Sequence, residues 1–131
     1  LIVSRMKAMA SKMENIEFVG FQSPLSYLKE SSILCMTSNY EGWGMVITEA
    51  MQCGTVPIAF QSFASVADII THNVNGVLVP PFDKNQYAHE LSSLMNDSAK
   101  RTRLALQAMQ DVKRFSISNV VDLWEELFKS L

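Results

Sequence analysis

The feature that most restricts the fold is a regular alternation of short apolar runs with longer segments of helical periodicity. The runs lie at residues 33–36, 56–60 and 77–79, and residues 16–20 are predicted to form a further strand. Turn residues follow each run, and then come apolar side chains at helical spacing. Strands that alternate with helices require right-handed parallel crossovers. The sequence therefore predicts an α/β fold, a three-layer Rossmann-like sandwich with a parallel sheet.

Length and composition exclude several classes of protein. The 131 residues are enough for one domain with a real core, so a single domain is predicted. The net charge of −2 gives no basic field and disfavours nucleic acid as a partner. Cys35, expected in a buried strand, and Cys53 lack a CxxC motif or a nearby His, which predicts neither a metal site nor a disulfide. No apolar run approaches the length of a membrane span and the start is not a signal peptide, which favours the cytosol.

Both ends of the chain carry helical patterns. Ile2, Met6, Met9 and Met13 recur at helical spacing, which predicts a helix to about Met13 whose apolar stripe joins the core. This first helix has no cap before it, which suggests a piece of a longer protein. The final helix is predicted to place six apolar side chains on one face: Val120, Leu123, Trp124, Leu127, Phe128 and Leu131. Trp124 and Phe128 are expected to be partly exposed.

Residues 39–54 combine loop glycines, a helix pattern and two carboxylates at a fixed spacing. Gly42 and Gly44 allow the main chain to come close to a ligand. A helix that begins near Gly44 and ends at Gly54 directs its unpaired N–H groups and the positive end of its dipole to the same place. The pattern therefore predicts an anion site, located at the carboxyl end of a parallel strand.

The two carboxylates of this stretch are expected to contact the same ligand as the amides. Glu41 lies in the loop at the mouth of the helix, and Glu49 lies about 7 to 8 Å along the helix axis from its start. A phosphate repels a carboxylate, so both acids are better suited to accept hydrogen bonds from sugar hydroxyls on either side of it. The spacing favours a ligand in which a phosphate link joins two sugars.

The stretch EGWGMVITEAMQCGTVPIA, residues 41–59, resembles the signature of the retaining glycosyltransferases of the GT-B fold, the group 1 family. Residues 15–21 and 75–81 are also similar to their family counterparts. The resemblance implies half of a GT-B fold: the C-terminal domain that binds a UDP- or GDP-linked hexose, which the enzyme transfers to an acceptor hydroxyl with retention. Polysaccharide or glycan synthesis is the common setting in the family. The nucleotide-sugar is a substrate, and no cofactor or metal is implied.

The resemblance also implies roles for particular residues. Glu41, the one candidate catalytic position, would contact the donor hexose, and Glu49 would hold the ribose hydroxyls. Gly20 and Phe21 would border the base, although a packing aromatic is an equally open interpretation of Phe21. The N–H groups that would touch the diphosphate or hexose are those of Gly42, Trp43, Gly44 and Met45.

The sequence departs from the family pattern in ways that leave alternatives open. Ala64-Ser65 replace the Gly-Gly of many relatives, so a donor contact by this loop is in doubt. The family's Gly-Arg and Lys, which supply cations for the diphosphate, have no match, and residues 31–82 contain no Lys or Arg. The N-terminal acceptor domain and the first strands are therefore expected in a longer parent, and this polypeptide alone is not expected to transfer sugar. A peripheral membrane contact of the parent, at the inner face of the membrane, is left open.

The alternative function is a nucleotide or sugar-phosphate binding or regulatory module without catalysis. Among the other polar residues, His72 is expected to be a solvated turn residue with nothing to orient it. The basic cluster of Lys100, Arg101 and Arg103 is expected to be a solvated helix face.

Overall fold

The computed structural model describes residues 2–131, which form seven α-helices and three β-strands. A 3₁₀ turn, Val112–Phe115, joins the last two helices. In chain order the elements are α1 (Ile2–Ala10), α2 (Pro24–Glu30), β1 (Ile33–Met36), α3 (Met45–Gln52), β2 (Val56–Phe60), α4 (Val66–Ile69), β3 (Val77–Val79), α5 (Lys84–Asn96), α6 (Ser98–Asp111) and α7 (Ile117–Ser130).

The three strands form one parallel sheet in the order β1-β2-β3. Ile33 of β1 lies opposite Val56 of β2, and Ile58 of β2 lies opposite Val77 of β3. All five residues of the central strand β2 are buried, as an apolar run covered on both faces requires. The predicted parallel sheet is confirmed, and the loops that follow the strands leave from one common edge.

Side chains of β2 alternate between two apolar clusters, so helices cover both faces of the sheet. Val56 and Ile58 face the cluster covered by α5, whereas Ala59 faces the one covered by α3 and α4. Helix α6 contributes Leu104 to the first cluster and Ala108 to the second. The resulting three layers confirm the predicted sandwich.

Residues 16–20 do not form the predicted strand. Ile16, Phe18 and Val19 remain exposed, and none of the three strands of the described sheet pairs with them. A strand needs a neighbour to receive its N–H and C=O groups, and residues 16–20 do not pair with the free side of the edge strand β1. The apolar composition of the segment was therefore not enough to place it in the sheet.

The predicted burial of the first helix is wrong. Helix α1 ends at Ala10, and the exposed fractions of Ile2, Met6, Met9 and Met13 lie between 53% and 77%. No described element covers this stripe. Helix α7 likewise buries no side chain, and Trp124 and Phe128 are exposed as expected, with their rings stacked at 5.7 Å.

Cys35 is exposed, contrary to its predicted burial in a strand. The reason is its place on β1, which is an edge strand of the described sheet. Cys35 and the half-buried Cys53 are both free thiols. None of the helices in residues 2–131 combines the length and apolar character needed to cross a bilayer.

Candidate functional site

A glycine turn connects the carboxyl end of β1 to the start of α3. Gly44 is the N-cap of α3 and has a left-handed conformation, with φ +82° and ψ +47°, so the predicted helix start is confirmed. A Cβ on Gly44 would lie 3.3 Å from both Ile47 Cδ1 and Phe63 Cε2. A Cβ on Gly42 would meet no atom within 4 Å, so the face of Gly42 is open to a ligand. The two glycines therefore serve different purposes, one in folding the turn and the other in leaving space beside it.

Five consecutive backbone amides of this turn are unpaired. Within residues 2–131, the N–H groups of residues 42–46 donate to no acceptor, and the first amide that does is Ile47 N–H, which donates to the Gly44 carbonyl at 2.9 Å. Gly42, Trp43 and Met45 are exposed. Unpaired amides at a helix N-terminus attract anions, and the helix dipole adds to the attraction. The turn is thus chemically able to bind a phosphate group.

The loop after β2 holds the glycine turn in place. Ser62 Oγ donates to the Ser38 carbonyl at 2.6 Å, and Ser65 Oγ lies 3.1 and 3.2 Å from the carbonyl oxygens of Gly42 and Trp43. Sequence patterns assigned neither serine a role. The available signal was Ser65 itself, a hydroxyl side chain where many relatives have glycine.

Glu41 and Glu49 lie on either side of the turn in sequence and are both half-buried. The ion pairs of the described residues are Lys100–Glu90 and Lys129–Glu125, which leaves both site carboxylates without a cation. No hydrogen bond from within residues 2–131 reaches either carboxylate. Glu49 lies between the buried Thr48 and Ala50, so it occupies the margin of the apolar face of α3, as its spacing predicted. Both acids can accept hydrogen bonds from a ligand.

The side chain of Trp43 packs against the 3₁₀ turn. Its ring meets that of Phe115 edge-on, with centroids 5.2 Å apart and an angle of 82°. The Arg114 guanidinium lies 4.5 Å from the centroid of the same Phe115 ring. Trp43 therefore anchors the turn through its side chain while its backbone N–H stays unpaired.

Gly20 and Phe21 are not joined to the glycine turn. Gly20 has φ +71°, and Phe21 is fully exposed. Both line a shallow depression with Val3 and Lys7 of α1, and no hydrogen bond or aromatic contact of the described residues connects them to residues 42–45. The structure thus joins the predicted site residues of the turn and α3 along one loop and helix, and no described contact connects Gly20 or Phe21 to them.

The arginine side chains of α6 and the 3₁₀ turn bind backbone carbonyl groups. Arg101 donates to the carbonyl of Leu94 in the last turn of α5, and Arg103 donates to that of Asn73 at 3.0 Å. Arg114 donates to the carbonyl of Asp68 in α4. Arg103 is exposed, as expected of a solvated cluster, whereas Arg101 is half-buried and its guanidinium docks α6 against the end of α5.

His72 is exposed, as expected, but the backbone orients its ring, contrary to the expectation. Its Nδ1 accepts a hydrogen bond from Leu78 N–H at 3.1 Å, and its Nε2 lies 2.8 Å from Asn73 Nδ2. The bridge between His72 and Gly76 brings Leu78 back to the imidazole ring. Nowhere in residues 2–131 do three His, Cys, Asp or Glu side chains converge as metal ligands would.

A parallel α/β sheet with unpaired amides at its carboxyl edge defines a Rossmann-like domain with an anion-binding helix start. The model of the family "Glycosyl transferases group 1" matches residues 3–111. The chain belongs to the group 1 glycosyl transferases.

Over the aligned residues, two curated relatives are about a third identical to the chain or slightly less. A D-inositol 3-phosphate glycosyltransferase of Xylanimonas cellulosilytica is 32% identical over 89 residues, which are 68% of this chain and 21% of the relative. An exopolysaccharide phosphotransferase of Streptomyces coelicolor is 29% identical over 120 residues, or 90% of this chain and 13% of the relative. The chain therefore spans less than a quarter of the length of these two proteins.

Solved structures share the fold over most of the chain. Anabaena HepE in complex with UDP has a TM-score of 0.88 at 23% identity, covering 99% of this chain and 36% of that one. The C-terminal domain of LpcC, a group 1 glycosyl transferase from Francisella tularensis, has a TM-score of 0.75 at 28% identity, covering 88% and 62% respectively. The fold is that of one half of a GT-B glycosyltransferase, as predicted.

Proposed function

We propose that the chain is the donor-binding part of a retaining glycosyltransferase that moves a hexose from a UDP- or GDP-linked donor to an acceptor hydroxyl. The observation that carries the proposal is the row of unpaired amides at residues 42–46, with Glu41 before it and Glu49 after it. The structural relative HepE was solved in complex with UDP, which supports a nucleotide ligand. The names of the curated relatives support a role in polysaccharide or glycan synthesis.

In this proposal the amides bind the diphosphate and the two acids bind the sugars. Backbone N–H groups near an exposed glycine suit a phosphate oxygen, because they can approach it without a side chain between them. The Glu41 carboxylate would accept hydrogen bonds from the hexose, and that of Glu49 from the ribose. Residues 31–82 contain no Lys or Arg, so full compensation of the diphosphate charge requires cations from another segment.

The reaction we propose for the parent protein is a displacement on one face of the sugar. The diphosphate leaves from the anomeric carbon, the acceptor hydroxyl attacks from the same side, and the cations and amides stabilise the developing negative charge. Glu41 and Glu49 position the donor. Glycoside hydrolysis by a carboxylate pair would need both acids to face one bond at about 5 to 9.5 Å. Glu41 lies in a loop and Glu49 in the second turn of α3, so the two carboxylates are better suited to contact opposite ends of a donor.

The remaining parts of the proposal concern the parent protein. Its N-terminal domain would supply the acceptor site, and its first strands would supply the Gly-Arg and Lys that the family resemblance implies. We expect the isolated chain to bind donor weakly and to transfer no sugar. We propose that the parent protein is cytoplasmic. Fractionation of cells that express it would distinguish a freely diffusing protein from one bound at the inner face of the membrane.

Calorimetric titration of the chain with UDP, UDP-glucose and GDP-mannose tests the donor site. Glu49→Ala should weaken UDP and UDP-glucose binding alike, by about ten-fold each, because both ligands carry the ribose. Glu41→Ala should weaken UDP-glucose by about ten-fold and leave UDP unchanged. Glu126→Ala, which removes an exposed carboxylate from α7, is the matched control and should change neither affinity.

Each part of the proposal can fail separately in this experiment. Unchanged UDP affinity in Glu49→Ala would refute the ribose role, and equal losses for UDP and UDP-glucose in Glu41→Ala would refute the hexose role. Absence of binding by all three ligands would refute the donor site. Donor binding without sugar transfer by the parent would favour the alternative of a non-catalytic binding module, and the anomeric configuration of any product tests retention.

A further inference from the structure

We propose that Ser65 is a positioning residue whose hydroxyl aims the amides of the glycine turn at the diphosphate. The inference rests on the proposed function and adds to it a residue outside the turn. Ser65 lies 22 and 23 residues along the chain from the two carbonyl groups that its hydroxyl contacts. It therefore acts on the turn through the tertiary structure and not through local sequence.

The hydroxyl of Ser65 is used differently from the side chains that cap three of the other helices. Ser65 is the N-cap of α4, yet its side chain makes no capping hydrogen bond. The N-cap side chains Asp83, Asp97 and Ser116 each accept a hydrogen bond from an amide of their own helix. The hydroxyl of Ser65 instead points across to the carbonyl oxygens of the turn, where its single proton is shared between two acceptors. The hydroxyl of Ser65 therefore contacts the glycine turn and not its own helix.

This contact fixes the direction of two amides. The carbonyl and N–H of a trans peptide unit point in opposite directions. The Gly42 carbonyl belongs to the same peptide unit as the Trp43 N–H, and the Trp43 carbonyl to the same unit as the Gly44 N–H. Because both carbonyls face Ser65, both N–H groups point away from the 61–65 loop. Amides already aimed at an anion need no reorientation when it binds.

The local structure permits a clean test by substitution. Ser65 has φ −70° and ψ −13°, an ordinary helical conformation that alanine adopts without strain. It is 8% exposed, so its hydroxyl contacts are shielded from water. Ser62 provides the matched control, because its hydroxyl also binds a backbone carbonyl from the same loop, but that carbonyl belongs to Ser38. Removing either hydroxyl deletes a hydrogen bond between the loops, but only the removal at Ser65 deletes hydrogen bonds to the glycine turn.

The experiment compares the full 131-residue chain with Ser65→Ala and Ser62→Ala by titration with UDP and with inorganic pyrophosphate. Ser65→Ala should weaken both ligands by about ten-fold, the loss expected for one hydrogen bond, whereas Ser62→Ala should weaken them less than about two-fold. Amide NMR spectra without ligand should show the largest shifts at Trp43 and Gly44 in Ser65→Ala. Ser65→Thr keeps the hydroxyl and should bind within about three-fold of the unchanged chain.

The outcomes separate this inference from the proposed function. Binding by the unchanged chain together with equal affinities in Ser65→Ala and Ser62→Ala would overturn the role of Ser65 and leave the donor site standing. A loss in Ser65→Thr as large as that in Ser65→Ala would assign the effect to packing and would also overturn it. Absence of ligand binding in the unchanged chain would overturn the proposed function, and the inference with it.

Discussion

The central region of the molecule, residues 28–112, differs sharply from its two flanking segments, residues 2–27 and 113–131. Every buried side chain of the described residues lies in the central region. Helices α1 and α7 have clear apolar faces, yet neither buries a side chain. Helical periodicity therefore identified helices and their apolar faces both in the central region and in the two flanking segments. It did not reveal whether another element would cover those faces, because that depends on the rest of the fold.

The same division runs through the candidate site. The glycine turn, Glu41 and Glu49 belong to the central region, where Ser65 and Phe63 contact the turn. Gly20 and Phe21 belong to a flanking segment and lie beside α1. We therefore expect the diphosphate and sugar contacts to be better fixed than any contact with the base. Two pairs of substitutions test this difference between the central region and its flanks, and a third pair tests the two glycines of the turn.

The largest expected effect is that of truncating a buried leucine. Leu94→Ala in α5 should lower the free energy of unfolding by about 3 kcal/mol, because Leu94 is fully buried between the sheet and α6. Leu127→Ala, the same change in α7, should cost less than about 1 kcal/mol, since half of that side chain is already exposed. Urea denaturation measures both. If both variants lost the same free energy of unfolding, and the loss depended on protein concentration, self-association would be covering α7. The two regions would then not differ in burial.

A smaller effect is expected where a glycine allows close packing. Gly76→Ala should destabilise the fold by about 2 kcal/mol, because a Cβ there would lie 2.8 Å from the Pro57 carbonyl oxygen and 3.0 Å from Ile70 Cγ2. Gly20→Ala is the counterpart in a flanking segment. It should cost about 1 kcal/mol or less, because a Cβ there would meet no atom within 4 Å and only the strain of the positive φ remains. Thermal or urea unfolding measures both changes, and a greater loss for Gly20→Ala would mean that residues 16–21 are held more firmly than their exposure indicates.

The smallest effect on stability is expected at the open face of the turn. Gly42→Ala should change the free energy of unfolding by less than about 0.5 kcal/mol, because its Cβ would meet no atom within 4 Å. The same change should weaken UDP binding by about ten-fold, since the new methyl group would hinder close approach of the phosphate. Gly44→Ala should instead lose stability, by about 1 to 2 kcal/mol, because its left-handed conformation is combined with Cβ distances of 3.3 Å to Ile47 and Phe63. Full UDP affinity in a stable Gly42→Ala would contradict the proposed contact.

Several elements were predictable because their signals are local. The buried run of β2, the glycine-bounded helix α3 and the start of α5 all follow from neighbouring residues. At the start of α5, Asp83 is the N-cap, and its carboxylate accepts a hydrogen bond of 2.9 Å from the amide of Gln86. Such features depend on contacts within a few residues, which the sequence displays directly.

The errors arose where the outcome depends on distant partners. The run at residues 16–20 is apolar enough for a strand, but no strand of the described sheet pairs with it. Cys35 was expected to be buried because it lies within an apolar run, yet β1 is an edge strand and leaves it exposed. His72 is oriented by Leu78 N–H, six residues away, through a bridge that periodicity does not predict.

The order of amino acids was enough to specify the alternation of strands and helices, the glycine turn at the start of α3 and the spacing of Glu41 and Glu49. These are matters of chain order and of backbone preference, which neighbouring residues set. Which apolar faces are covered, and how the turn is held, depended on the folded arrangement. The hydroxyl of Ser65 reaches the carbonyls of Gly42 and Trp43 because parallel strands bring the loops that follow them to one edge of the sheet.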